Sequence, residues 1–267
     1  MLKKIKDLTN TLKKPRKAKK PAKPHIFVST PMYGGMCTGF YTQSLLTLQK
    51  EFAAHEIDCT FSFMFNESLI TRARNGLANA FLKTNATHLF FIDADIRFIP
   101  HDFIPVLQSD LDIVCGLYPK KEINWGAVHQ AANSGVPADQ LKHYTGSMVV
   151  NLVGGDHTQA VPMNVPLEIL AGGTGYMLIK REVLEGLADK VPTYTNNVLD
   201  LASDFKPEMI REYFATSIDP TNNVLLSEDY HFCHLARRHG YKVWAAPWVQ
   251  LAHLGSYLFE GGVVPAP

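Results

Sequence analysis

Asp93 and Asp95 stand one residue apart, directly after the apolar run 88–92. A continuous apolar run bounded by polar residues predicts a strand buried on both faces of an α/β sheet. Ligands of such sheets bind beyond the carboxyl ends of the strands. Two carboxylates there require a cation, and their hard oxygens favour Mg²⁺ or Mn²⁺, which commonly carry phosphate oxygens. The pair therefore predicts a metal–diphosphate site, with turn-forming aspartates that cap the next element as the alternative.

A second pair of carboxylates, Glu228 and Asp229, follows Ser227 at the start of a predicted helix. The helix macrodipole and the free N–H groups stabilise acids at that end, which is a purely structural interpretation. In the functional interpretation, one of the two carboxylates is a general base that faces a hydroxyl group. The two interpretations are compatible.

The elements that must position these residues alternate between strand and helix, which predicts a mostly parallel, right-handed wound sheet. The middle of the chain, 120–166, is turn-rich, and 190–226 is expected to be irregular. Strands are predicted at 26–28, 57–65, 88–92, 112–117, 167–171, 176–180, 241–246 and 248–252. Helices are predicted at 38–54, from an N-cap at Ser68 to 83, at 102–107, at 182–188 and from an N-cap at Ser227 to 239.

The charge of the chain is divided unevenly between an arm, 1–24, and one large domain, 25–267. Residues 1–23 hold ten of the 26 Lys and Arg with a single acid, so the remainder carries 16 basic against 24 acidic residues. The Pro- and Lys-rich second half of the arm is expected to be disordered. Its first half predicts a short amphipathic helix that contacts an anionic membrane through 1–20, while a solvated tail and a nucleic-acid arm are alternatives. The apolar face of that helix consists of Leu2, Ile5, Leu8 and Leu12.

The cysteines and the hydropathy of the chain bear on its location. The four cysteines are widely spaced, with no CxxC pair, as is typical of reduced thiols in a cytosolic protein. The N-terminus lacks an apolar signal region, and no apolar run is long enough to cross a membrane. The expected location is the cytoplasm, and the membrane-contacting arm would place the protein at the inner face of a membrane.

Several segments together resemble the metal-dependent glycosyltransferases of the GT-A fold, particularly small viral and bacterial members. The resemblance extends from about Ile26 to Phe259 and rests on the order and spacing of six motifs. It implies a Rossmann-like, mostly parallel wound sheet with a smaller mixed C-terminal portion. The motifs are Ser29-Thr-Pro-x-Tyr33, Ser68-x-x-x-Arg72-x-Arg74-Asn75, Phe91-Ile-Asp-Ala-Asp95, Gly172-Gly-Thr-Gly175, Ser227-Glu-Asp-Tyr230 and His253-x-Gly255.

The resemblance implies a role for each motif. It gives Asp93 to the ribose or to a metal-bound water, and it makes Asp95 and His253 ligands of Mn²⁺ or Mg²⁺. Asp229, rather than Glu228, becomes the general base. The residues expected to bind the nucleotide-sugar donor are Thr30, Pro31, Tyr33, Arg72, Asn75, Asp93 and Lys120. Those expected at the sugar or acceptor are Trp125, Gly172, Gly173 and Gly175. A solvated helix face fits Arg74 better than Arg72.

The implied activity is transfer of a sugar from a nucleoside-diphosphate sugar, most simply a UDP-sugar, to a hydroxyl of a glycan or glycolipid. Four alternatives remain open from the sequence. They are a nucleotidyltransferase that makes the sugar nucleotide, a phosphatase with Asp93 as nucleophile, a non-catalytic sugar-binding module, and an enzyme that glycosylates hydroxylated DNA bases.

Overall fold

The computed structural model describes residues 23–154, 162–197 and 207–256. The basic arm, with its expected amphipathic helix, lies almost entirely outside these ranges. The expectation of membrane contact through 1–20 therefore concerns residues that the structure does not describe.

One eight-stranded mixed sheet organises the domain. Its strands are β1 His25–Met32, β2 Asp58–Phe65, β3 His88–Ile92, β5 Ile113–Gly116, β6 Val150–Leu152, β7 Leu167–Gly172, β8 Tyr176–Lys180 and β13 Val243–Ala246. Their order across the sheet is β2-β1-β3-β8-β5-β13-β7-β6. Six of these strands run in one direction, whereas β8 and β7 are antiparallel to their neighbours. The expected α/β class, a mostly parallel wound sheet with a mixed C-terminal part, is confirmed.

Helices cover both faces of the sheet, and three small two-stranded sheets complete the described residues. The helices are α1 Gly39–Ala54, α2 Ile70–Leu82, α3 Phe103–Gln108, α4 Trp125–Asn133, α5 Arg181–Gly186 and α6 Glu228–Arg238. The small sheets pair β9 Thr193–Asn196 with β10 Glu208–Arg211, β11 Ser217–Ile218 with β12 Leu225–Leu226, and β4 Ile96–Phe98 with β14 Leu251–His253.

Strand β3 shows why its sequence is apolar throughout. Leu89 and Phe91 point into a core shared with α2, α5 and α6, whereas Phe90 and Ile92 point into a second core shared with α1 and α3. Successive side chains of a strand point to opposite faces, so a strand with one exposed face alternates between apolar and polar residues. A strand buried on both faces is apolar throughout. The prediction of a doubly buried strand is confirmed.

Several predicted boundaries are wrong. Strand β1, predicted to end at Val28, continues through Met32, so the motif Ser29-Thr-Pro-x-Tyr33 lies largely within it. The N-cap expected at Ser68 is absent, because the Glu67 carboxylate accepts the N–H of Leu69 instead, at 2.9 Å. Helix α4 was not anticipated within the turn-rich middle. The expectation of irregular structure over 190–226 is also wrong for the described part of that range, since β9, β10, β11 and β12 form two antiparallel pairs there.

None of the helices within the described ranges is both long and apolar enough to cross a membrane. All four cysteines are free thiols, and Cys115 and Cys233 lie in the buried core.

Candidate functional site

The pairing of two short strands brings the aspartate pair and the late histidine together. Asp93 and Asp95 leave the carboxyl end of β3, and the chain then forms β4. Strand β14 pairs antiparallel with β4, and this register places His253 opposite Ile96. The backbone N–H of Leu254 also donates to the Asp95 carbonyl, at 2.9 Å. Sequence positions about 160 apart are thereby joined at the carboxyl edge of the sheet, where ligands of α/β folds bind.

The imidazole of His253 presents a lone pair to Asp95. Its Nδ1 lies 3.0 Å from the carbonyl oxygen of Pro119, which can only accept a hydrogen bond, so Nδ1 carries the proton. In the neutral ring, Nε2 is then an acceptor, and it lies 3.5 Å from Asp95 Oδ1, a buried atom that receives no hydrogen bond from the described residues. Two acceptors that face each other need a shared cation, whether a metal ion or a proton on the ring.

The second oxygen of Asp95 already has a cationic partner. Lys121 Nζ donates to Oδ2 at 2.5 Å, and the lysine chain lies across Gly255, where a Cβ would approach Lys121 Cδ to 2.8 Å. Burial alone would raise the pKa of Asp95, but His253 and Lys121 outweigh it and the pKa is lowered. The neighbouring Lys120, expected at the nucleotide, is exposed and makes no contact with the aspartates.

Asp95 and His253 therefore fit a divalent ion in part. A carboxylate and an imidazole whose other nitrogen is held by a backbone carbonyl make a donor set suited to Mn²⁺. Within the described ranges, no group of three or more His, Cys, Asp or Glu converges, because the Asp93 carboxylate is directed elsewhere. The remaining coordination positions of such an ion would belong to phosphate oxygens and water.

Arg74 holds Asp93, and this corrects the expectation that Arg74 lies on a solvated helix face. Its guanidinium is buried, donates to Asp93 Oδ1 at 2.6 Å, and lies 5.0 Å from the centre of the Phe91 ring. Its Nε is 3.8 Å from Glu228 Oε1. The reason is that α2 packs against the end of β3. Its small neighbours Ala73, Gly76 and Ala78 are buried with it.

The two acids at the start of α6 have different surroundings. Glu228 is only 13% exposed in its side chain and faces Arg74. The pKa of Glu228 is raised, mainly because the side chain is buried. The charge of Arg74 opposes this shift in part, and the charge of Asp229 adds to it. Asp229 Oδ1 instead accepts the hydroxyl of Ser227 and the N–H of Tyr230, so it closes the first turn of the helix. Glu228 is therefore the acid that reaches the Arg74–Asp93 pair.

Some of the residues expected to bind the donor are accessible to a ligand, and others are buried or held in contacts within the protein. Tyr33 is 70% exposed and free to contact a ligand, and Pro31 is half-buried beside it. The Thr30 hydroxyl is buried against the Tyr41 hydroxyl at 2.7 Å, so its side chain belongs to the core. Arg72 is held in a two-point ion pair by Glu67.

Asn75 has a structural position within the core. Its side chain donates to the carbonyl of Phe214 at 3.0 Å and accepts the N–H of the same residue at 2.9 Å. Of the residues expected at the acceptor, Trp125 is exposed at the start of α4.

The glycine motif packs against one tyrosine. Strands β7 and β8 are not neighbours in the sheet, so the motif forms a crossover connection between them and not a hairpin turn. The Tyr118 hydroxyl accepts the N–H of Gly175 at 3.1 Å, and its ring meets that of His253 edge-on at 5.4 Å. A Cβ on Gly173 would overlap the Tyr118 hydroxyl. The absence of side chains at these glycines thus allows the Tyr118 ring to pack against His253.

We predict that Gly173→Ala destabilises the domain by about 1–3 kcal/mol, because the methyl group overpacks a buried contact. Gly39→Ala is the matched control: no atom lies within 4 Å of its Cβ, and it opens a helix. It should be neutral or slightly stabilising. Urea unfolding of both variants measures the difference, and equal midpoints would contradict the packing assignment.

Comparisons with known proteins give similarity of fold only. No family model and no curated protein matches this chain. Among solved structures, it is similar to A197 from STIV (18% identity, TM-score 0.47, 87% of this chain and 86% of that one). GalNAc-T7, solved with UDP, GalNAc and Mn²⁺, gives 11% identity and a TM-score of 0.40 over 88% of this chain and 44% of that one. The inositol-1-phosphate CTP transferase from T. maritima gives 11% identity and a TM-score of 0.38 over 87% of this chain and 89% of that one. At these values, the likenesses assign no activity to this chain.

Proposed function

We propose that the chain is a metal-assisted glycosyltransferase that moves a sugar from a nucleoside-diphosphate donor, most simply a UDP-sugar, to a hydroxyl acceptor. The observation that carries this is the opposition of two acceptor atoms, Asp95 Oδ1 and His253 Nε2, at the carboxyl edge of the sheet. A site that needs a cation between a carboxylate and an imidazole, with Lys121 beside it, suits a diphosphate. The order of motifs along the sequence supports the same activity.

In this proposal, Asp95 and His253 hold Mn²⁺ or Mg²⁺, and Pro119 fixes the tautomer of the histidine. When bound, the ion supplies positive charge that stabilises the departing diphosphate. Lys121, which lies beside Asp95, would add positive charge at the same place. The exposed ring of Tyr33 stacks on the nucleotide base.

Glu228 is the better placed of the two acids to act as general base, although the sequence favours Asp229. The acceptor hydroxyl gives its proton to the carboxylate as its oxygen bonds to the anomeric carbon. The bond from that carbon to the diphosphate oxygen breaks, and the electron pair leaves with the nucleoside diphosphate. A raised pKa makes Glu228 a stronger proton acceptor than an exposed acid would be. Arg74, which also binds Asp93, holds the Glu228 carboxylate in position.

The proposal is tested by incubating the protein and Mn²⁺ with UDP-sugars and GDP-sugars and measuring release of the nucleoside diphosphate. A parallel reaction contains nucleoside triphosphates and sugar 1-phosphates. Diphosphate release from one donor class is the expected result. Pyrophosphate release in the parallel reaction would instead establish a nucleotidyltransferase, the second interpretation of the same sheet edge.

We predict that Lys121→Gln has opposite effects on the two ligands. Affinity for Mn²⁺ alone should rise about two- to fivefold, because a competing, half-exposed ion pair at Asp95 is removed. Affinity for the nucleoside diphosphate should fall by about tenfold, because a charge-assisted hydrogen bond is lost. Calorimetric titration measures both. Lys120→Gln is the matched control and should change neither affinity, and a larger effect on diphosphate binding in Lys120→Gln than in Lys121→Gln would contradict the assignment.

A further inference from the structure

A cavity of about 720 Å³ lies between the β11–β12 hairpin and the N-terminal half of α6. Tyr230 and His234, one helical turn apart, line it from the helix, and Asn151 lines it from strand β6. Its volume lies in the range of small-molecule sites. None of the residues expected at the donor from the sequence lines this cavity.

Glu228 connects the cavity to the candidate site. Glu228 lines the cavity, while its Oε1 lies 3.8 Å from Arg74 Nε, which belongs to the guanidinium that binds Asp93. A molecule in the cavity therefore lies next to the acid that also borders the Arg74–Asp93 pair. Glu228 thus adjoins both the candidate site and a second binding space.

The lining of the cavity is acidic and rich in hydroxyl and amide groups. Asp219 and Glu228 both contribute to it, and the described part of the lining contains no lysine or arginine. The backbone N–H and hydroxyl of Thr221 donate to Asp219 and lower its pKa, which keeps it ionised. Burial and the charge of Asp229 raise the pKa of Tyr230 to about 12, so its hydroxyl remains a donor.

This lining favours a neutral ligand. Its described residues present two carboxylates and no lysine or arginine, which disfavours phosphate groups, whereas its hydroxyl and amide groups pair with sugar hydroxyls. The exposed apolar side chains of Val224 and Leu225 offer a surface for the C–H faces of a sugar ring. An uncharged polyhydroxyl compound therefore matches the cavity, and a phosphate backbone does not.

The hairpin is held in place before any ligand binds. Ser217 Oγ lies 2.7 Å from His231 Nδ1, which ties the first strand of the hairpin to α6. The N–H of Asp219 donates to the Val224 carbonyl at 2.8 Å and closes the turn. A preformed wall lowers the ordering cost of binding.

We propose that this cavity is the acceptor subsite of the protein and that it takes an uncharged glycan, whose reacting hydroxyl faces Glu228. The inference rests on the proposed glycosyltransferase function and adds the place and the chemical class of the acceptor.

The test fills the cavity and leaves the donor side intact. Thr216→Trp introduces a bulky ring at an exposed lining position, and Thr47→Trp makes the same change on the exposed face of α1 as a control. Saturation-transfer difference NMR is recorded with methyl β-glucoside, methyl β-galactoside, methyl α-mannoside and N-acetylglucosamine. Glucose 6-phosphate and mannose 6-phosphate are the charged probes.

At least one neutral probe should give a signal with the unmodified protein and with Thr47→Trp, reduced at least fivefold in Thr216→Trp. The phosphorylated sugars should give none. A lack of signal from every neutral probe, an equal signal in both variants, or stronger binding of the phosphorylated sugars would overturn the inference. UDP and GDP are titrated with Mn²⁺ into the same samples. Nucleotide binding without glycan binding overturns this inference alone, whereas glycan binding without nucleotide binding overturns the proposed function.

Discussion

Asp95→Asn should lower metal-dependent turnover by about 10²–10³-fold or more while leaving the fold intact. The substitution removes the charge that faces both His253 Nε2 and Lys121, so a divalent ion loses its anionic protein ligand. Such an ion contributes several kcal/mol of transition-state stabilisation. Steady-state release of the nucleoside diphosphate, measured at saturating donor, gives the effect on turnover.

The matched control for this variant is Asp58→Asn. Asp58 is exposed, and among the described residues its carboxylate pairs with Lys23 alone, at the far end of β2. Turnover by the control should equal that of the unmodified protein, and both variants should unfold within a few degrees of it. Normal turnover in Asp95→Asn would remove Asp95 from the reaction and with it the metal assignment.

Arg74→Met should be the most destabilising single change in the site. It leaves the carboxylates of Asp93 and Glu228 facing each other without the guanidinium that binds one and lies beside the other. Loss of one partner from a buried ion pair costs about 3–5 kcal/mol, and the partial exposure of Asp93 places the expectation near the lower end. Urea unfolding measures the change in midpoint.

Two further variants separate charge from packing at Arg74. Arg97→Met removes an exposed guanidinium that lies over Phe40, and should cost under about 1 kcal/mol. Adding Glu228→Gln to Arg74→Met removes one of the two unpaired charges and should recover part of the lost stability. If Arg74→Met is no less stable than Arg97→Met, the buried charge network does not support the fold.

The sequence was sufficient to predict the centre of the sheet. The run in β3 is long enough to show burial on both faces, and the residues that follow a strand of this kind lie at its carboxyl edge. The juxtaposition of Asp95 with His253 also follows the order of the motifs. These features depend on patterns that each extend over several residues.

The surroundings of single residues were harder to predict. Arg74 and Arg72 lie two positions apart on one helix, and only the packing of α2 against β3 decides which is buried. Lys120 and Lys121 are adjacent residues of the same type, and their order in the sequence does not show which one reaches Asp95. Lys121 does so because its side chain packs closely against Gly255. The strands of the β11–β12 hairpin are only two residues long, which is too short for an alternation of polar and apolar residues to be recognised. The acidic cavity beside them could therefore not be predicted from the sequence.

The metal-dependent nucleotide site is tested most directly by calorimetric titration of UDP and GDP into the unmodified protein and Asp95→Asn, each with and without Mn²⁺. One of the two nucleotides should bind the unmodified protein in a metal-dependent manner, and Asp95→Asn should abolish this binding. Failure of both nucleotides to bind with or without Mn²⁺, or binding that Asp95→Asn leaves unchanged, would contradict the assignment of this site.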